Sequence, residues 1–288
     1  MSNNLTFYLK VSRPGLWFQT LWVYLLPVVG TQSIYTWPFW IGFIYATFPL
    51  NFMIYGWNDM VDYETDRHNP RKNSFLWGAK GTKEQLQGLM TPIIIAQLPF
   101  IIFFIWYCGW PMAVVLFCIY LVNITYNLPK YGLRGVPPLE LVNILGMLII
   151  VPLCTYLNDF PSLPWQSMVY LGIFCILAQL IGEIMDIEPD RKAGRRTTAT
   201  VIGNDATKLL VIALVVAEAV ILYAVFHAYM LAAYMIFVIL WLIFDFVYLN
   251  KKMPYSIAQY NLLGFGINAA GYGSILWVWY TQALHQIY

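Results

Sequence analysis

Residues Tyr55 to Lys72 read Tyr-Gly-Trp-Asn-Asp-Met-Val-Asp-Tyr-Glu-Thr-Asp-Arg-His-Asn-Pro-Arg-Lys and concentrate charge at the end of an apolar run. If helix continues through Asp66, then Asn58, Asp62 and Asp66 fall at i, i+4 and i+8, so their oxygens share one stripe with Asp59 beside it. Neighbouring carboxylates repel unless a cation lies between them, and a Mg²⁺ held by one or two carboxylates keeps positions for phosphate oxygens. Arg67, Arg71 and Lys72 follow at once, while His68 reads as a loop residue. Acids suited to a metal beside bases suited to an anion point to a metal-diphosphate site. The bland alternative is a solvated helix end carrying i,i+4 ion pairs. A calcium loop of the EF-hand kind does not fit, since its ligands alternate at every second position around a central Gly.

The remainder of the chain is built for a bilayer. Its 288 residues are 60% hydrophobic and 10% charged, against roughly 25% charged in an ordinary soluble domain. A lipid bilayer, and no nucleic acid, is the expected partner. The 12 Trp and 21 Tyr suit interfacial belts, and a minority of the rings suits a cavity that tolerates a carbocation. Cys108, Cys118, Cys154 and Cys175 show no metal-ligand spacing and read as packing residues. The first residues carry no apolar core followed by a small-residue cleavage site, so no removable signal is expected.

Nine runs approach the length needed to cross the hydrocarbon layer: 15–34, 37–57, 89–108, 110–127, 137–157, 165–185, 208–226, 229–249 and 260–281. Lys and Arg are retained on the cytoplasmic side of such proteins. With nine crossings all 16 basic residues, from Lys10 and Arg13 to Lys251 and Lys252, fall on one face. The expectation is a single all-α, polytopic membrane domain over residues 1–288, with nine transmembrane helices around a central cavity. Its N-terminus is cytoplasmic and its C-terminus lies on the opposite side. The long polar connections, 58–88 and 186–207, both lie on the basic face. The second carries Gly182-Glu-Ile-Met-Asp-Ile-Glu-Pro-Asp-Arg-Lys, in which Asp186 and Asp190 again stand four apart at the end of an apolar run with bases after them. This four-span offset suggests two related halves, near 1–136 and 137–288. Pro189 lacks an N–H, so a helix break there is expected to aim Asp190 inward. Glu218 and Asp245 lie inside apolar runs; Asp245 is expected to snorkel, and Glu218 to be either a neutral hydrogen-bonded acid or a proton acceptor.

Together these segments resemble the UbiA superfamily of intramembrane prenyltransferases. Asn58, Asp59, Asp62 and Asp66 match its first acidic motif, N-D-x-x-D-x-x-x-D, and Asp186 and Asp190 match its second, D-x-x-x-D. Tyr126-Asn127-Leu128-Pro129-Lys130 through Arg134 to Pro137 resembles a third segment, with Asn127 in place of the usual Ser and Glu140 in place of the usual Asp. Within the superfamily the likeness is to the carotenoid elongases that prenylate lycopene. It rests on Ser12-Arg13-Pro14 with Trp17, on Tyr55-Gly56, on Asp62-Tyr63-Glu64, and on Asn69-Pro70-Arg71-Lys72 with Gly78-Ala79, whereas 73–77 departs from the glycine-rich form of that branch.

The resemblance implies that prenyl diphosphate is one substrate, with Mg²⁺ held by Asn58, Asp62, Asp66, Asp186 and Asp190. It makes these four aspartates the catalytic set, and Asn58, Asp59, Arg67, Lys72, Tyr126, Lys130, Arg134 and Arg191 the residues that bind the diphosphate and steady the cation. Tyr63 and Tyr126 are the rings nearest to the charge. The second substrate is a lipophilic acceptor: a carotenoid, another isoprenoid or a quinone precursor. Two other functions compete. A terpene cyclase would use the same site with no acceptor, and an ion-coupled transporter would relay ions through its acids, but would place them near the midplane with access from both sides.

Overall fold

The computed structural model describes residues 2–67, 69–249 and 256–285. His68, Lys251 and Lys252 lie outside them. In chain order the helices are α1 (Ser2–Val11), α2 (Trp17–Leu25), α3 (Trp37–Ala46), α4 (Phe48–Val61), α5 (Tyr63–Asp66), α6 (Lys83–Gln87), α7 (Met90–Cys108) and α8 (Trp110–Asn127). Then come α9 (Leu139–Ile144), α10 (Ile150–Asn158), α11 (Trp165–Lys192), α12 (Thr198–Ile202), α13 (Asn204–Ala224), α14 (Tyr229–Phe244) and α15 (Ile257–Thr281). Capping boxes begin α6 at Thr82 and α15 at Ser256. Gly109 alone separates α7 from α8, with Pro111 in the first turn of the latter.

Among the described residues eight helical stretches are long and apolar enough to cross a membrane: Trp37–Val61, Lys83–Cys108, Trp110–Asn127, Leu139–Asn158, Trp165–Lys192, Asn204–Ala224, Tyr229–Tyr248 and Ile257–Thr281. They match the second to ninth runs in the sequence. The first run, 15–34, differs. α2 gives way at Leu26 to a 3₁₀ turn, Leu26–Val28, where Pro27 has no N–H with which to continue the α pattern. The count of nine therefore does not rest on helix length.

This first segment is buried in the protein instead of facing lipid, with Phe18, Leu21, Trp22, Val23 and Leu26 all inside. It runs beside the second half of α15 and the residues that follow it. A Cβ on Gly271 would strike the Phe18 ring, Trp22 Nε1 donates to Ser274 Oγ at 2.9 Å, and His285 Nε2 stands 2.6 Å from Leu26 O. Backbone sheltered by neighbouring helices can be irregular at membrane depth, because its polar groups find partners in protein.

The core lies where α2, α3, α4 and α10 meet. Thr20 Oγ1 donates to Ala46 O at 2.7 Å, and Asn51 Nδ2 donates to Thr20 Oγ1 at 2.8 Å and to Ala46 O at 3.0 Å. These buried polar groups clamp the break between α3 and α4, so the end of α4 that carries the first motif is fixed relative to α2. The ends of α4 and α11, with the loops that follow each, form the acidic and basic end of the molecule.

Candidate active site

The first motif straddles a bend. α4 stops at Val61 and α5 starts at Tyr63, but the i→i−4 pattern continues through the bend, with Asp62 N–H donating to Asn58 O at 2.9 Å and Asp66 N–H to Asp62 O at 2.8 Å. Asn58 Nδ2 donates to Asp62 Oδ2 at 2.9 Å and meets Asn127 Oδ1 at 3.4 Å. The Asn at the third segment's unusual position thus touches the first motif. Asp59 is buried and receives Arg13 Nη2 at 2.6 Å and Lys72 Nζ at 2.8 Å. Lys72 also meets Asp66 at 2.7 Å. Burial pushes the Asp66 carboxyl up, but Lys72, Arg13 and Arg195 together hold it below its ordinary value.

The second motif stands on α11. The break expected at Pro189 does not occur, for α11 is helical through Lys192. Asp186 accepts from Asn69 Nδ2 at 2.8 Å and is paired with Arg71. Arg71 is stacked 5.0 Å from the Trp77 ring centre. Asp190 is buried beside Arg195, 3.4 Å away.

Arg195 joins the two motifs. Its guanidinium bonds Asp62 with one nitrogen and Asp190 with another, and Arg134 meets Asp62 from a third direction at 2.5 Å. Local chain geometry delivers it there. Arg195 N–H donates to Asp190 O at 2.8 Å and Gly194 N–H to Arg191 O at 3.1 Å, with Gly194 at φ +71°, which is a Schellman turn that folds the chain back over the end of α11. Burial pulls the guanidinium pKa down, but Asp62 and Asp190 more than offset this, so Arg195 stays charged. The Tyr126 hydroxyl accepts from Gln179 Nε2 at 3.3 Å.

The profile of the UbiA prenyltransferase family matches residues 16–268. The chain belongs to this family. It is 28% identical over 206 residues to the lycopene elongase/hydratase of Corynebacterium glutamicum, covering 70% of this chain and 71% of that one. To the lycopene elongase/hydratase of Haloarcula japonica it is 27% identical over 211 residues, covering 70% and 69%. A UbiA homolog from Archaeoglobus fulgidus, in a structure bound to DMAPP and Mg²⁺, shares the fold with a TM-score of 0.53 at 15% identity, over 93% of this chain and 99% of that one.

Not every candidate base of this UbiA-family prenyltransferase reaches the cluster. Lys72 and Arg134 do. Arg67 pairs with Glu64 at 3.1 Å and Arg191 with Glu188 at 3.7 Å, both about half exposed, and Lys130 is exposed with its ammonium 5.2 Å from the Tyr131 ring centre. Their neighbours in sequence, Arg71, Arg134 and Arg195, take the inward places. Arg13, Asn69 and Arg195 are not among the site residues that the sequence assigns, and Arg71 is named there only among the bases that follow the first motif. Arg13 comes from the chain's start and crosses to Asp59, with Tyr55 stacked 4.5 Å from its guanidinium carbon. Gly78 allows this approach, since at φ +100° it lies so close to Arg13 that a Cβ would stand 2.9 Å from Arg13 Nε.

Among the described residues no three Asp, Glu, His or Cys groups are gathered tightly enough to enclose a metal, since each aspartate of the two motifs is turned to a base or an amide. The donor set still fits a hard divalent cation. It is all oxygen, it comes from two facing helix ends, and Asp59 Oδ2 is buried with no hydrogen-bond partner.

The remaining intramembrane acids are accounted for differently. Asp245 does not snorkel; it is buried and bonded to Lys208 Nζ at 3.0 Å, in the wall of a largely apolar cavity of about 50 Å³ between α11, α13, α14 and α15. Glu218 is buried with Oε1 lacking a hydrogen-bond partner. Glu140 accepts from the N–H and the hydroxyl of Thr198, both at 2.6 Å, and so tethers α9 to the start of α12.

Proposed function

We propose that the protein transfers a prenyl group from a prenyl diphosphate to an apolar polyene or other isoprenoid acceptor, with Mg²⁺ bound between Asn58, Asp62, Asp66, Asp186 and Asp190. The observation that carries this reading is the joining of both acidic motifs through Arg195, ringed by Arg13, Arg71, Lys72 and Arg134. What bound Mg²⁺ would supply there is charge to stabilise the oxygens of the leaving diphosphate. The chain's own bases supply the rest. As the allylic C–O bond breaks, Arg195, Arg134 and Lys72 exchange carboxylate partners for diphosphate oxygens, in a site already arranged for negative charge. Tyr126 presents its ring near the developing cation, where such a contact is worth roughly 0.5 to 2 kcal/mol. The acceptor double bond attacks that cation, and the carbocation formed on the acceptor passes a proton to the released diphosphate.

The acceptor class is argued from what the bases already do. An aromatic carboxylate needs a cation of its own, yet Arg13, Arg71, Lys72, Arg134, Arg195 and Lys208 each face an acid. An apolar chain needs only hydrophobic walls. The relatives named lycopene elongase/hydratase support the same choice. The test supplies lycopene, a quinone precursor and 4-hydroxybenzoate separately, each with labelled prenyl diphosphate and Mg²⁺, and weighs the products. Prenylated lycopene is the expected result. Transfer to 4-hydroxybenzoate alone overturns the acceptor class, and a cyclic hydrocarbon with no acceptor product selects the cyclase.

The site opens to the cytoplasmic face in this reading, because the acids and bases share one end and bases are retained on that side. Reporters in the loop near Lys80 are expected to be cytoplasmic, and those after Asp159 and at the C-terminus non-cytoplasmic. The parallel course of residues 15–30 and α15 supports an odd number of crossings. A cytoplasmic C-terminus would remove the nine crossings.

A further inference from the structure

Pro189 has no N–H to donate to Met185 O four residues earlier, and its ring crowds that carbonyl. α11 is helical there all the same, and another helix supplies a donor. Tyr260 Oη, on α15, donates to Met185 O at 3.1 Å, and both residues are buried, at 5% and 6% exposure, so water is a poor substitute. The contact reaches the acids by two routes. Met185 immediately precedes Asp186 in the chain, and its sulfur stands 3.7 Å from Arg71 Nη1. The Tyr260 ring also lies edge-on to Trp77, with centres 6.4 Å apart, and Trp77 carries the stacked Arg71 that grips Asp186.

We infer that Tyr260 is a positioning residue for the second acidic motif, its hydroxyl replacing the backbone donor that Pro189 removes and so holding Asp186 and Asp190 on one unbroken helix. The inference rests on the proposed function in one respect, that diphosphate is what this motif engages. A side-chain donor from α15 ties the motif to the opposite end of the sequence. α15 in turn lies along the first segment that brings Arg13 to Asp59, so both halves of the site are referred to the same helix.

The substitution Pro189→Ala restores a backbone N–H facing Met185 O, and makes the role of the hydroxyl separable from that of the ring. The full-length protein, P189A, Y260F and the double variant are compared in detergent by two measurements: Mg²⁺-dependent binding of geranyl diphosphate by calorimetry, and melting temperature without ligand. With Pro189 in place, Tyr260→Phe is expected to weaken binding roughly tenfold, the scale of a buried carbonyl left unpaired, and to lower the melting temperature. In the P189A background the same change is expected to alter binding by less than about twofold, because the carbonyl has another donor.

Equal losses in both backgrounds overturn the inference, since they would belong to packing of the ring. A coupled melting temperature with diphosphate binding unchanged by Tyr260→Phe also overturns it, since the bond would then be structural only. If Tyr260→Phe alone fails to fold, the double variant decides: recovered folding and binding support the inference, and failure overturns it. Wild-type protein that binds no geranyl diphosphate at any Mg²⁺ concentration instead removes the proposed function and the positioning role with it, whatever the melting temperatures show about the bond.

Discussion

Asp62→Asn is expected to lower turnover on the order of a hundredfold or more across a range of Mg²⁺ concentrations, the scale of a lost charge-stabilising contact worth several kcal/mol of barrier. Asn has nearly the same shape and can still accept from Asn58, so the loss is one of charge. Asp62 meets more side-chain partners than any other residue of the two motifs, with Asn58, Arg134 and Arg195 all on its oxygens. Removing its charge leaves two guanidinium groups facing each other in a mostly buried place, and removing one partner of a buried pair costs about 3 to 5 kcal/mol in well-buried cases. A lowered melting temperature should therefore accompany the rate loss. Asp186→Asn should match it in rate but lose less stability, because the Asp186 side chain is 27% exposed against 5% for Asp62. Turnover near wild type in both variants would sink the metal-site assignment.

Arg195→Gln separates the structural reading of the anion site from one based on motif neighbourhood. Among the described residues the guanidinium is the one group that touches both motifs. Its loss is expected to reduce kcat/KM for prenyl diphosphate about tenfold to a hundredfold, the range for charge-assisted hydrogen bonds. Arg67→Gln, Lys130→Gln and Arg191→Gln should each lose less than about fivefold, because exposed ion pairs are worth only ~0–1 kcal/mol. Kinetics of the four variants at saturating Mg²⁺ decide the matter. If the exposed three prove more damaging than Arg195→Gln, the diphosphate does not lie where the cluster places it.

The same contrast shows what kind of information each level holds. The bilayer fold and eight of the nine runs follow from hydropathy and length, because a helix that must hide its own backbone in lipid leaves a pattern in consecutive residues. The acids were legible for a similar reason. Asn58, Asp62 and Asp66 are related by helical spacing, as are Asp186 and Asp190, and that relation survives the bend at Asp62. The first segment was harder to measure, because residues sheltered by protein escape the length rule, and nothing near Pro27 in the chain announces that shelter.

Which bases point inward was settled only by tertiary packing. Arg67 and Arg71 are equally plausible by position, but the loop after the first motif lays Arg71 on Trp77 and Asp186 while Arg67 turns to Glu64. Likewise Arg191 follows Asp190 directly, yet on a helix the next residue faces about 100° away, and the turn at Gly194 brings Arg195 back to Asp190 instead. Pro189 is the clearest case. By itself it predicts a break, yet the helix runs on, and Tyr260 from 71 positions later donates to the Met185 carbonyl that Pro189 leaves without its backbone donor. Consecutive residues therefore determined the membrane helices and the two acidic motifs, through spacing along a single helix. The partners of those acids were decided by contacts between segments far apart in the chain, since a side chain's partner depends on what packs against it and not on what precedes it.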